Sequence, residues 1–342
     1  MSLELPRWAM GPFIRPEGQN PVLRPDPDFV FRCPVRKKAV HWEALHVFNP
    51  AAIVFNDKVY LLYRAEDDYG KMKIGRHTSR IGLAWSEDGI HFQKSPEPVL
   101  FPGGDDQKRY EWPGGCEDPR IVEGENGEFV LAYTQKDHLI SRLGIATSKD
   151  LVHWKKHGQA FHDNVPPWTS LGTKAASIVC SVVDGRLKAT RVNGKYLMYT
   201  GVRGIRTATS DDLIHWVPHD WIVKRREGFF DVLVVEAGPP AVLTGDGIVL
   251  IYNGKNDAER GDKTLSHHLY TAGQLLFDAQ NPTRCIGRLD HPFYKPELPF
   301  ELTGQYVAGD TFIEGLVYFR EKWFMYYGCA DSVVGVAIWD PK

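Results

Sequence analysis

Apolar residues come in short runs along this chain, and a polar phrase closes each run. Val59-Tyr-Leu-Leu-Tyr63, Phe129-Val-Leu-Ala-Tyr133 and Tyr196-Leu-Met-Tyr199 are apolar stretches ending in tyrosine. Each is followed by Gly82-Leu-Ala-Trp85, Gly144-Ile-Ala-Thr147 or Arg206-Thr-Ala-Thr209, and then by the pattern Ser-x-Asp-x-x-His-aromatic. That pattern stands at Ser86–Phe92, Ser148–Trp154 and Ser210–Trp216. Runs this short, rich in branched and aromatic residues and bounded by turn formers, predict strands. Asp88, Asp150 and Asp212 recur about 60 residues apart, a period that marks a repeat architecture. The same period places a fourth unit at Tyr270–Asp278 and a fifth at Val333–Asp340. The prediction is an all-β fold, a five-bladed β-propeller over residues 41–342, closed as one body because each blade needs its neighbours to cover its apolar faces. Residues 1–40, rich in Pro and Arg and without periodicity, are expected to form an extended N-terminal arm packing on it.

Hairpin turns fall at Asn56-Asp57, Asn193-Gly194 and Thr244-Gly-Asp-Gly247. The stretch 93–115, Pro- and Gly-rich, carries no clear element, and a loop of that length in a compact domain is usually functional or mobile. Composition narrows the field further. The 342 residues are 43% hydrophobic, enough for a large core, and the net charge of −2 gives no case for nucleic acid or an anionic membrane as partner. Five scattered cysteines without a CxxC pair argue for packed thiols, not for a zinc site or a disulfide framework. His267-His268 lacks a third ligand at suitable spacing, so neither a metal nor a cofactor is expected. The first residues hold no apolar signal core, and the expected location is cytoplasmic, or periplasmic if an export signal has been trimmed. Assembly with copies of itself is left open.

The chemistry should sit where the innermost strands of the five units converge. Their polar residues are Asn49, Asp118, Lys174, Glu236, Asp310 and Glu314, several of them set in apolar or Gly/Pro-rich text. A charge there is costly unless it is paired, hydrogen-bonded or used, and clustered carboxylates push one another's pKa apart, which suits acid–base work. A second ring comes from the ends of the next strands: Arg64, Asp67 and Asp68, then Gln135, Lys136 and Asp137, then Arg203, then Asn253, Lys255 and Asp257, and finally Asp331. Aromatic residues near such rings, Tyr252 among them, offer flat surfaces to sugar faces, while Asp, Asn and Arg bind hydroxyls. Carboxylates, arginines and aromatics without a nucleophile motif favour a carbohydrate ligand. Simpler readings stand beside these. The aspartates of the repeated phrase cap turns and its histidines are turn residues. Glu117-Asp118-Pro119-Arg120 could be a local salt bridge, Glu236 and Glu314 could be satisfied core acids, and Arg142 could pair structurally.

Asn49-Pro-Ala, Arg64-Ala-Glu-Asp67, Glu117-Asp118-Pro119-Arg120, the Asn281-Pro282 segment and Tyr326-Tyr-Gly-Cys-Ala-Asp331, in this order, resemble glycoside hydrolase family 130. The resemblance runs from about residue 20 to the C-terminus. It implies a five-bladed propeller acting on β-mannosides, either as an inverting phosphorylase or as an inverting β-1,2-mannosidase. It implies that Asp118 matches the acid credited with proton donation in the phosphorylases, and that Asn49, Arg64, Asp67 and Asp331 hold the non-reducing mannose. Lys174 and Tyr252 are expected as further substrate contacts. Phosphorylases also need a basic cluster for inorganic phosphate. Here the strand Tyr196–Gly201 lacks the expected basic pair, and Arg142 and Lys174 remain from the usual set. Glu236 and Glu314 stand where the hydrolytic branch carries glutamates, and a carboxylate there would repel phosphate and activate water. The expected function is therefore an exo-acting, inverting β-1,2-mannosidase using Asp118, Glu236 and Glu314, with a β-mannoside oligosaccharide as its partner. A phosphorylase releasing mannose 1-phosphate is the alternative, and a non-catalytic mannan-binding propeller a third reading.

Overall fold

The computed structural model describes residues 4–67, 77–161 and 173–342. The fold is all-β, with two one-turn helices at Lys108–Glu111 and Pro299–Leu302. Its strands form antiparallel series in chain order. His46–Phe55 pairs with Lys58–Glu66, which pairs with Ser79–Ser86. Gly115–Glu123, Phe129–Lys136, Ser141–Ser148 and Lys155–Gln159 follow in the same way. Ser177–Val183 meets Lys195–Thr200, which continues into Gly204–Ser210 and Val217–Lys224. Val234–Ala237 and Ala241–Thr244 both pair with Gly247–Lys255, followed by Tyr270–Phe277 and Cys285–Arg288. Thr311–Phe319, Lys322–Cys329 and Val333–Trp339 complete the chain. Short parallel pairings join neighbouring series, as at Ser79 with Gly115 and Val179 with Ala241.

The first strands His46–Phe55, Gly115–Glu123 and Thr311–Phe319 are buried along almost their whole length, whereas at the far side of their series Val217–Lys224 is largely open to solvent and Lys155–Gln159 partly so. Apolar faces of adjacent series pack on one another: Phe55 meets Phe129 edge-on at 5.0 Å, and Tyr199 stacks on Phe277 at 4.4 Å. Near the N-terminus, Ile14 bridges to Ile338 and Leu23 to Val334, and the Gln274 amide bonds both backbone groups of Met10. Val30–Cys33 and Lys38–His41 form a separate hairpin. The stretch 93–115 is more ordered than its composition suggests. Leu100 bridges to Ile81, and the helix Lys108–Glu111 carries a fully buried Glu111.

The repeated polar phrase forms one turn three times. In each copy the serine hydroxyl bonds the aspartate, one aspartate oxygen accepts two backbone N–H groups ahead of it, and the other oxygen meets the histidine Nδ1. In the Asp88 and Asp212 copies burial works against ionisation, and the backbone and histidine donors win, holding each carboxyl below its usual range. Asp278 keeps the backbone half of this turn without the serine and histidine.

A second repeat shows only its tyrosines along the sequence. Tyr63, Tyr133, Tyr252 and Tyr327 each lie opposite a glycine of the next strand, Gly82, Gly144, Gly273 and Gly335. The ring fills the space that a Cβ at that glycine would occupy. Each hydroxyl then donates to a buried carboxylate: to Glu43, Glu111 and Glu301 at 2.7, 2.7 and 2.8 Å, and to Asp231 at 2.6 Å. Each carboxylate is in turn held by a cation: Lys94 on Glu43, Lys156 on Glu111, Arg226 and Arg288 on Asp231, and Arg15 on Glu301. The remaining series departs from this rule. Tyr199 faces Thr207, and its hydroxyl donates to the Pro282 carbonyl at 2.9 Å.

Candidate active site

Three of the buried first strands carry an irregularity at a polar residue. Phe48 pairs with Arg64 and Pro50 with Tyr63, so Asn49 has no counterpart across the ladder. Glu117 pairs with Thr134 and Arg120 with Ala132, which leaves Asp118-Pro119 opposite one residue. Ile313 pairs with Tyr327 and Gly315 with Tyr326, which leaves out Glu314. A bulge of this kind bends the strand and re-aims a side chain. Asn49 and Asp118 also take left-handed backbone angles, φ 48° and 46°, which branched or bulky residues avoid and short polar ones tolerate.

Asp118 is the hub. One carboxylate oxygen accepts hydrogen bonds from Asn49 Nδ2 at 3.0 Å and Arg64 Nη1 at 3.1 Å. The other accepts from Lys174 Nζ at 3.1 Å. Lys174 also lies 3.0 Å from Glu236 Oε1, an ion-pair contact outside hydrogen-bond geometry. Arg120 donates to the carbonyls of Asp118, Ala237 and Gly238, which fixes its guanidinium beside Glu314 at 2.8 Å and Glu236 at 3.9 Å. Glu236 pairs in register with Asn253, whose side-chain amide bonds both backbone groups of Ile313. The strands carrying Glu236 and Glu314 are therefore locked together through Asn253. Asp118, Glu236 and Glu314, distant along the chain, form one continuous set of buried contacts. Asp331, beside the left-handed Ala330, and Asp310 border it.

The acids of this cluster are not alike. Burial pushes the Asp118 carboxyl up, but Lys174, Arg64, Arg120 and the Asn49 hydrogen bond outweigh it and hold the group well below the ordinary carboxylate range. Burial pushes Glu314 far above its usual value, with the charges of Asp118 and Glu236 adding to it and Arg120 and Lys174 opposing. Both Glu314 oxygens are buried without a hydrogen-bond donor, as is Oδ1 of Asp310. Asp310 is raised by burial and by Asp331, Glu314 and Glu236. Asp331, partly exposed, is raised by burial, against Arg64 and with Glu66, to about 7. The site thus sets one acid whose pKa is held low beside others whose pKa is pushed up, a division that suits acid–base chemistry.

Several expected contacts lie elsewhere. Asp67 is fully buried between Arg36 at 2.9 Å and Arg80 at 2.8 Å, on the opposite face of its strand from Arg64. Its neighbour Glu66 takes the place beside Arg64 at 2.8 Å and also accepts from Gln305 Nε2. Tyr252 belongs to the structural tyrosine repeat: its ring stacks on Phe230 and its hydroxyl is taken by Asp231. Arg142 pairs with Asp137 at 2.8 Å and lies over the Tyr110 ring. Glu117, 3.1 Å from Arg64, joins the cluster, and burial raises its pKa. Asp68 lies outside the described residues. Period-two alternation from Arg64 already pointed to Glu66 over Asp67; nothing local in the sequence pointed to Gln305.

Comparison with known proteins bears on the family and the fold. The family model Glyco_hydro_130, described as β-1,4-mannooligosaccharide phosphorylase, matches residues 15–342. A 1,2-β-oligomannan phosphorylase of Thermoanaerobacter sp. (strain X514) is 33% identical over 308 residues, covering 88% of this chain and 92% of the relative. A structure solved in connection with GH130 glycoside hydrolases that target β-1,2 mannosidic linkages in Candida mannan superposes with TM-score 0.97 at 49% identity, over 100% of this chain and 97% of that one. A glycosyl hydrolase from Bacteroides ovatus superposes with TM-score 0.96 at 50% identity, over 99% of this chain and 96% of that one. Among the described residues no helix is long and apolar enough to cross a membrane.

Proposed function

The chain belongs to the glycoside hydrolase 130 family, and from that premise we propose that it cleaves terminal β-1,2-linked mannose by hydrolysis with inversion. We read its five antiparallel series as the blades of one propeller over residues 41–342, with residues 1–40 as an arm upon it. The observation that carries the reaction is the one buried set in which Asp118 is held by Asn49, Arg64 and Lys174, Glu314 lies against Arg120 without a hydrogen-bond donor, and Glu236 stands between Lys174 and Arg120. On this reading Asn49, Arg64, Asp118 and Asp331 hold the hydroxyls of the terminal sugar, with Asp118 as an acceptor. Glu314 delivers the proton to the leaving oxygen. Glu236 takes the proton of the attacking water on the opposite face of the ring. An inverting pair of this kind leaves about 6.5–9.5 Å between its carboxyls for that water.

Phosphorolysis is the second reading, and the phosphorylase relative at 33% identity favours it. In that case phosphate would replace water, Lys174 would face it, and no general base would be needed. Incubating the protein with β-1,2-mannobiose, with and without inorganic phosphate, separates the two. Free α-mannose formed at the same rate in both samples supports hydrolysis. Mannose 1-phosphate formed only with phosphate overturns hydrolysis in favour of phosphorolysis. No product in either sample overturns both.

A further inference from the structure

Arg120 stands in the middle of the reacting set, yet the reaction proposed above gives it no part. Its side chain is buried. Three carbonyls fix the guanidinium: Nε donates to Gly238 at 3.1 Å, Nη1 to Asp118 at 3.1 Å and Nη2 to Ala237 at 3.0 Å. Two of these carbonyls follow Glu236 directly in the chain, and the third belongs to Asp118. The close approach of the strands depends on Gly238, where a Cβ would meet the Ile251 carbonyl at 2.7 Å and the Ile313 carbonyl at 3.1 Å. Ile313, next to Glu314, is clasped by the Asn253 side chain, so both partners of the Arg120–Glu314 contact are held in place. Nη2 lies 2.8 Å from Glu314 Oε1, and that oxygen still receives no hydrogen bond. The contact is therefore one of charge. Among the described residues Arg120 is the one cation that ion-pairs with Glu314.

We propose that Arg120 is a positioning residue for the acid step: it holds its charge where the Glu314 carboxylate forms as the proton leaves. The inference rests on the glycoside-cleaving reading with Glu314 as acid, and adds to it a residue that acts through Glu314. In that step the Glu314 O–H bond breaks and its proton goes to the glycosidic oxygen, as the bond from that oxygen to the anomeric carbon breaks. Water forms the new bond to the anomeric carbon and gives a proton to Glu236. Negative charge thus moves from Glu236, 3.9 Å from Nη2, to Glu314, 2.8 Å from the same nitrogen. A cation already fixed where charge develops needs no rearrangement during the reaction. Burial alone would make Glu314 a reluctant proton donor. The charges of Arg120 and Lys174 oppose burial, those of Asp118 and Glu236 add to it, and Asp310 stands near.

The test replaces Arg120 and compares two leaving groups. β-1,2-Mannobiose needs a proton on its departing oxygen, whereas β-mannosyl fluoride releases an ion that needs little help. Arg120→Met should lower kcat on the disaccharide by on the order of 100-fold, and on the fluoride by less than about tenfold. Arg120→Lys, which restores the charge, should recover part of the loss. Equal losses on both substrates would mean that Arg120 only supports the fold, and would overturn the proposal, as would near-normal turnover of the disaccharide by Arg120→Met. The pH profile gives a second answer. Turnover of the disaccharide falls as Glu314 loses its proton, so in Arg120→Met that fall should move to higher pH, and an unmoved profile overturns the proposal. If Arg120→Met does not fold, Arg120→Lys decides, because its ammonium cannot serve every contact of the guanidinium. A loss mainly on the disaccharide then supports the proposal, and a loss shared by both substrates overturns it. Failure of the assigned reaction shows separately in the unaltered protein. If mannose 1-phosphate forms only with phosphate, water is not the nucleophile, and the same comparison run with phosphate still decides on Arg120. No product from either substrate removes the reaction and the proposal together.

Discussion

Two populations of buried carboxylates share this molecule, and they are treated in opposite ways. In the tyrosine repeat, Glu43, Glu111, Asp231 and Glu301 are each met by a phenolic hydroxyl and at least one cation. In the central set, Glu236 and Glu314 stand near cations, yet Oε1 of Glu236 and both oxygens of Glu314 receive no hydrogen bond. A buried acid without donors costs stability that an apolar residue would not. The difference teaches that burial alone does not identify a working acid. What separates the two groups is whether the surrounding protein satisfies the oxygens; on the function proposed above, those of Glu236 and Glu314 are left for a substrate.

Substitutions should split the two populations. The largest effect is expected from Glu236→Gln, which should lower turnover of β-1,2-mannobiose by roughly 10³-fold with little change in melting temperature. Near-normal turnover would remove Glu236 from the mechanism. Glu111→Ala should do the reverse. It takes the buried carboxylate from Lys156, which keeps Asp105 and the Phe101 carbonyl, and the acceptor from the Tyr133 hydroxyl, and a loss of about 3 kcal/mol in urea unfolding is expected, with kcat retained in the folded fraction. Tyr252→Phe should cost about 1–2 kcal/mol by the same assay and leave KM unchanged, because its hydroxyl serves Asp231. A raised KM would return Tyr252 to the substrate.

Protonation gives the comparison a sign. Asp331 has a folded pKa of about 7, above its unfolded value, so the folded state binds its proton more tightly. Its contribution to stability is therefore present at low pH and lost as pH rises from about 4 toward 7. Asp331→Asn should become progressively more stable than the unaltered protein across that window, as read by melting curves at successive pH values. A constant difference would show that Asp331 is not raised. The smallest effect is expected at the repeated turns, where Asp212→Ala should cost about 1 kcal/mol and leave activity unchanged. The Asp212 carboxyl is lowered, so its contribution has the opposite pH sign: present above the usual carboxylate range and lost as pH falls below it.

The all-β class and the turns were legible because both are local. Ser210, Asp212 and His215 bond within six residues, so the phrase contains its own structure. Asp118, Glu236 and Glu314 were legible as polar residues in otherwise apolar strands, a conflict that burial makes costly. The tyrosine units were only half visible. The tyrosines end each apolar run, but Glu43, Glu111, Asp231 and Glu301 come from segments without periodicity, 20 to 26 residues away. Tyr252 has the place in the repeat that Tyr63 and Tyr133 have, and its hydroxyl serves Asp231. Glu66, not Asp67, shares the face of Arg64, as alternation along the strand requires.

The bulges at Asn49, Asp118 and Glu314 have a consequence for how this scaffold can change. A side chain with no counterpart across its ladder answers to no cross-strand neighbour, so exchanging it leaves the pairing of the sheet intact. Reactivity and architecture are thereby written at separate positions of the same strands. Asn49, Asp118 and Glu314 can then be replaced while the layers that hold the fold together stay as they are, whereas Glu236, in register opposite Asn253, remains tied to its ladder.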